Sequence, residues 1–256
     1  IGIALVYVAA EDRVRALNFS ARAPMAAEPD RFTGETQQTG LLTPLVPGNV
    51  AGWLTLHDTY CSMERERLFA PAIDHAECGV PVTLWASQIM AASADRLRQF
   101  ASSSAIILDA DGNAPAPGRR VMMPQLAQTL RVIARDGADT FYRGALAQQL
   151  TDSVRGMDGL LTPEDLVDYH AVWEEPISTQ YRGYEVFANR PNSSAFQVLQ
   201  TLNLIEGFGP KELSSQDPGT LHLLIEAMKL CVTDRIQYAG DPDHVKAPLT
   251  ALLSKG

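Results

Sequence analysis

The chain has 256 residues, 46% hydrophobic and 20% charged, enough length and apolar content for a real core. A net charge of −9, with no extended Lys/Arg cluster, argues against nucleic-acid binding. No apolar run approaches the ~20 residues that cross a membrane, and no secretion signal is visible within the chain.

The first predicted element is a β-hairpin, "IALVYVAAEDRVRALNF", with alternating apolar residues on either side of an Ala10-Glu11-Asp12 turn. A polar, Gly- and Pro-bearing segment follows to about Val50. From Leu54 to Phe100 the pattern is mainly helical, with breaks expected at Pro71 and at "CGVP". "ASSSA" reads as loop, and "AIILDADGNAPAPG" as a short strand, a turn and a loop. Asp109, Asp111 and Asn113 begin like a calcium loop. The glycine is misplaced, however, and Arg120 stands where the closing glutamate belongs, so a hairpin turn is expected.

"MPQLAQTLRVIARDG" predicts a helix with Leu126, Leu130 and Ile133 on one face and Gly137 as its stop. A second helix is expected over Ala138 to Val154. A third starts at "LTPEDL", with Thr162 as cap and Pro163 in the first turn. "ISTQYRGYEVFANRP" is strand-rich. "SSAFQVLQTLNLIEGFGP" opens on serine caps and closes on Gly207, Gly209 and Pro210. "PGTLHLLIEAMKLCVTDRIQYAG" places Leu221, Ile225, Met228 and Val232 at helical spacing, as one buried face. "GDPD" could offer two carboxylates, Asp241 and Asp243, but reads more simply as the turn ending that helix. No linker divides the chain, so residues 1–256 are expected to form a single domain.

Catalytic signatures are absent: the sequence has no G-x-S-x-G, no H-E-x-x-H, no Walker loop, and no G-x-G-x-x-G after a strand. His57, His75, His170, His222 and His244 are scattered, and His222 is expected in the core or at its boundary. Cys61, Cys78 and Cys231 are few, odd in number and far apart, which predicts buried, unpaired thiols. No cofactor or metal is called for.

Several segments, in order, resemble the large subunit of the γ-glutamyltransferase (γ-glutamyltranspeptidase) family. "VPGNVAGWLTLH" resembles its V-P-G-x-V-A-G segment and "LFAPAIDHAECGVPV" its P-A-I-x-x-A-E-x-G-F-x-V block. "MPQLAQTLRVIARDGADTFYRGALAQQL" and "LLTPEDLVDYHAVWEEPISTQYRGYEVF" are similar to two further blocks. "RPNSSAFQVLQTLNLIEGF", "EAMKLCVTDRIQYAGDPD" and "PLTALLSKG" continue the match, which covers nearly all of the chain.

The resemblance implies an α/β (α+β) fold, the four-layer αββα sandwich of N-terminal nucleophile hydrolases, of which this chain is the large-subunit part. It also implies a precursor that cleaves itself, and a partner small subunit from that precursor whose new N-terminal threonine is the nucleophile, with its α-amino group as base. The substrate would be a small-molecule amide, and no catalytic residue is expected in this chain.

"NFSARAP", Asn18 to Pro24, falls where transpeptidases of the family carry a stretch resembling D-F-R-E-x-A-P, whose arginine grips the α-carboxylate of the γ-glutamyl group. Aligned on Phe19 and Ala23-Pro24, Ser20 takes the arginine position and Arg22 stands two residues later. In a strand, residues 20 and 22 point to one side, so Ser20 and Arg22 are the candidate substrate-binding residues. An ordinary surface arginine at a strand end is the alternative. A serine cannot form a bidentate guanidinium–carboxylate clamp, so the departure favours a non-glutamyl acyl amide, as in relatives that are cephalosporin acylases or small amidohydrolases. A true γ-glutamyltransferase and a non-catalytic binding relative are the alternatives.

Overall fold

A computed structural model describes residues 2–34, 36–209, 213 and 217–255. In chain order the elements are β1 (Ile3–Val8), β2 (Arg13–Asn18), α1 (Asn49–Tyr60), α2 (Arg65–Cys78), β3 (Val80–Pro81), α3 (Leu84–Ala92), α4 (Ala94–Arg98) and α5 (Ala101–Ile107). They continue as β4 (Arg120–Val121), α6 (Pro124–Asp136), α7 (Ala138–Tyr142), α8 (Ala145–Arg155), α9 (Pro163–Val167) and β5 (Val172–Glu174). The last are β6 (Ile177–Tyr181), β7 (Tyr184–Ala188), α10 (Phe196–Glu206), α11 (Pro218–Tyr238) and α12 (Leu249–Leu252). The chain divides into two compact units, residues 1–56 with 151–256, and residues 57–150.

The first unit is built on the expected hairpin. β1 and β2 pair antiparallel from Ile3↔Asn18 to Val8↔Arg13, and β5 joins the other edge of β2, with Leu17 opposite Trp173. Ala16, Leu17 and Phe19 are all buried in this layer. Two glycines of "VPGNVAG" let neighbouring backbone approach that layer. A Cβ on Gly52 would lie 2.1 Å from the Phe19 ring, and one on Gly48 2.1 Å from the Phe19 carbonyl oxygen.

A second sheet pairs β6 with β7 in register Ile177↔Ala188 to Tyr181↔Tyr184. Its turn, Arg182-Gly183, has φ of 49° and 87°, the sense that matches strand twist. Ile177 and Ala188 pack on Phe196 and Leu199 of α10. α9 begins as expected: the Thr162 side chain accepts from the Asp165 N–H while Asp165 reaches back to the Thr162 N–H, a capping box.

The second unit packs α2 on α6, burying Ala76 against a stripe of Ala127, Ile133 and Ala134. The short pair β3–β4 follows, and Gly79 (φ 80°) and Gly137 (φ 82°) end the two helices.

Several expectations are corrected. α2 runs through Pro71 without a break. Pro71 is exposed, and so is Arg67, whose carbonyl loses its helical donor and faces solvent that can replace the bond. "ASSSA" is helical, within α5, and the strand expected at "AIIL" is the end of that helix. The helix over Ala138 to Val154 is two helices, parted at Arg143-Gly144, where Gly144 packs against the Thr140 backbone. Leu126 is 42% exposed, because the small Ala127 and Ala134 bring α6 onto α2 along a neighbouring stripe. α10 starts at Phe196 without a side-chain cap. Ser193 caps only the preceding turn, at the Ala195 N–H, and Pro210 lies outside the described residues.

The largest correction concerns α11. Leu221, Ile225 and Met228 are 61%, 47% and 48% exposed, and His222 is exposed beside them. The stripe that meets α10 is instead Thr220, Ala227 and Cys231, with Asp234 receiving a hydrogen bond from Gln200 Nε2. All three cysteines are free as expected, but Cys61 and Cys78 are exposed and only Cys231 is buried. Both lie at helix ends beside turns, outside the packed stripes.

Candidate functional site

β2 ends at Asn18, and the chain leaves it through Phe19 to Pro24 in a tightly held path. The Ser20 N–H donates to Asn18 Oδ1 at 3.1 Å, and the Ser20 carbonyl accepts from the Tyr169 hydroxyl at 2.8 Å. Arg22 bridges antiparallel to Val46, whose N–H donates to the Arg22 carbonyl at 2.8 Å. The Met25 N–H donates to Asp165 Oδ1 at 2.7 Å. Arg22 therefore sits on backbone fixed by three separate parts of the first unit.

Ser20 and Arg22 are both half-buried and line one cavity of about 140 Å³, with Asn18, Tyr169, Glu174 and Asn192 among its walls. A second cavity, about 210 Å³, meets Arg22 together with Met25, Asp165 and Asp168. At roughly 30 Å³ per water, the first holds only a few waters' worth of volume. It suits a head group such as a carboxylate, and falls short of a whole drug-sized ligand at ~300 Å³ or more.

The electrostatics are mixed. Arg22 carries a permanent positive charge, while Glu174, Asp241 and Asp243 bring carboxylates to the same walls. Glu174 Oε1 accepts from Asn18 Nδ2 at 3.2 Å, and Glu174 Oε2 is buried without a protein partner. The Arg22 guanidinium carbon lies 6.0 Å from the centre of the Tyr169 ring. Burial pushes the Tyr169 phenol up to about 12, although the charge on Arg22 pulls it down. The cavity thus offers donors for an anionic group and unfilled acceptors for a neighbouring donor.

Tyr169, Glu174 and Asn192 were not singled out by sequence reasoning, and Asp241 and Asp243 were set aside as turn residues. "GDPD" is the expected turn after α11, closed by His244 and Val245 N–H groups on the Asp241 carbonyl, yet it also delivers Asp241 and Asp243 to the cavity. For Glu174 a faint signal existed: in "AVWE" it alternates with Val172 on a short strand beside β2. The Asp109 segment is a self-closed turn, with Asp109 Oδ1 accepting from the Asp111 and Asn113 N–H groups. A roomier cleft of about 580 Å³ lies beside α10 and α11, but its Lys255 ammonium already meets Glu206. No helix among the described residues is long and apolar enough to cross a membrane.

The family model described as gamma-glutamyltranspeptidase matches residues 2–256. This chain belongs to the γ-glutamyltranspeptidase family. It is 35% identical over 260 residues to a glutathione hydrolase proenzyme from a Pseudomonas strain, a match covering 96% of this chain and 44% of that protein. It is 34% identical to the Acylase ACY 1 proenzyme of another Pseudomonas strain, across 82% of this chain and 38% of that one. The crystal structure of Helicobacter pylori γ-glutamyltranspeptidase superposes with a TM-score of 0.94 at 29% identity, covering 99% of this chain and 75% of that one. The chain shares the α/β fold of these family members, and spans about half the length, or less, of the curated relatives it matches.

Proposed function

We propose that this chain is the large-subunit part of a self-processing amide hydrolase or acyltransferase, and that Arg22 reads a carboxylate on the acyl half of its substrate. Family membership supports the enzyme class, and the proenzyme names of its relatives support a precursor. The observation that carries the substrate reading is Arg22 itself, fixed by its backbone and by Tyr169 in a cavity of carboxylate size.

The chemistry belongs to the partner polypeptide. Its N-terminal threonine hydroxyl attacks the amide carbonyl and passes its proton to the α-amino group. That proton goes on to the departing amine, and water or a second amine then resolves the acyl ester. Two features of this chain support such a partner. β1 is an edge strand among the described residues, with Ile3, Leu5 and Tyr7 39%, 42% and 60% exposed, and α11 presents Leu221, Ile225 and Met228.

With Ser20 at the family's arginine position, an acyl group whose carboxylate sits lower in the pocket, as in a glutaryl amide, fits best. A second reading, a true γ-glutamyltransferase or glutathione hydrolase, is favoured by one observation: Glu174, Asp241 and Asp243 could accept from an α-ammonium in the same cavity as Arg22. The test of the enzyme reading is the intact mass of the full-length gene product. Two polypeptides, the second beginning with threonine, are expected, whereas one stable uncleaved chain would support a non-catalytic relative.

A further inference from the structure

Tyr169 lies two residues beyond α9 and is only 5% exposed. Its ring faces Arg22 and its hydroxyl holds the Ser20 carbonyl, so one side chain touches both candidate residues. It also walls both cavities that meet Arg22. Room for the hydroxyl is left by Gly48, where an added Cβ would stand 2.1 Å from Tyr169 Oη.

A free arginine side chain gives up rotamer entropy when a ligand fixes it. An aromatic face beneath the guanidinium supplies part of that ordering beforehand, through attraction to the ring's electron-rich face. The phenol must stay neutral for this to work, because a phenolate would pair with Arg22 and compete with any anionic ligand. Burial keeps it neutral through the physiological range.

We infer that Tyr169 is a positioning residue, presetting Arg22 and the Ser20 backbone to receive an anionic group of the substrate. The inference rests on the reading that Arg22 binds a carboxylate. In the full-length protein, Tyr169→Leu should raise KM for a carboxylate-bearing acyl anilide roughly two- to thirtyfold, the range of one cation–π contact. Its kcat should stay within about twofold, and the rise in KM for a neutral anilide of equal length should be clearly smaller than for the acid. Tyr169→Phe, which keeps the ring, should show a smaller rise in KM.

If Tyr169→Leu does not fold, a fluorinated phenylalanine at 169 preserves shape while weakening the ring's negative face. It should raise KM for the acid above that of Tyr169→Phe, and equal values overturn the inference. Equal losses on acidic and neutral substrates also overturn it, as does no change in KM while Arg22→Ala raises it. An unchanged KM for the acid in Arg22→Ala would instead remove the underlying reading of Arg22.

Discussion

Asp165 accepts a hydrogen bond from the Met25 backbone N–H at 2.7 Å, tying the first turn of α9 to the chain three residues after Arg22. The same carboxylate accepts from the Thr162 N–H and hydroxyl at 2.9 Å each, and Asp165 is only 5% exposed. Asp165→Ala removes a cap worth ~1 kcal/mol and leaves the Met25 donor without its charged partner, a further ~1–3 kcal/mol. A loss of about 2–4 kcal/mol in urea unfolding is therefore expected, with Asp165→Asn recovering part of it. An unchanged midpoint would mean the tie is redundant.

Gly48→Ala places a methyl 2.1 Å from both the Phe19 carbonyl oxygen and Tyr169 Oη. Backbone on one side cannot yield cheaply, so about 1–3 kcal/mol or more of stability should be lost by the same measure. Adding Tyr169→Phe deletes the hydroxyl clash, though ring carbon Cζ stays 2.7 Å from the added methyl, and should restore part of the loss. If the double variant is no better than the single one, the hydroxyl is not what Gly48 makes room for.

The thiols should divide two to one. Cys61 and Cys78 should react in the native protein, and Cys231 only after denaturation. Cys78 Sγ donates to Asp74 Oδ1 at 3.4 Å, and that contact raises its pKa and lowers its thiolate fraction, so Cys78 should react more slowly than Asp74→Asn lets it. Three unreactive thiols in the native state would contradict the exposures.

Tyr169 sets a pH dependence at the alkaline end. Its folded pKa is raised, from 10.0 to about 12, so the neutral phenol is the favoured form in the fold. The unfolded chain gives up this proton first, and the stability it contributes is intact below about pH 10 and declines as pH rises toward 12. Spectroscopic titration of the 7 tyrosines should show a late phenolate step that Tyr169→Phe removes. Loss of an ordinary step near pH 10 instead, with any late step retained, would place Tyr169 in water.

Much of the scaffold was legible in the sequence because its signals are local. Alternation gave the hairpin, Thr162-Pro163 gave the start of α9, and Gly79 and Gly137 gave helix ends. The face of α11 was misread because apolar residues at helical spacing look the same in sequence whether or not their own unit covers them. Tyr169 escaped notice because its bond to Ser20 spans 149 residues of sequence. Asp241 was considered as a carboxylate and set aside because a turn explained it more simply, yet a turn can also carry a side chain to a site.

The central claim, that Arg22 reads a carboxylate on the acyl group, is tested most directly by kcat/KM for γ-glutamyl and glutaryl anilides. The comparison uses the full-length wild type, Arg22→Ala and Ser20→Arg. Truncating one member of a buried charged pair costs ~2–5 kcal/mol, and for a half-buried arginine the lower end applies, about 30- to 100-fold. Arg22→Ala should therefore lose that much on the glutaryl substrate, while Ser20→Arg should gain on the γ-glutamyl one. Efficient turnover of both anilides by the wild type, left unaltered by Arg22→Ala, would contradict the claim and make "NFSARAP" no more than the end of a strand.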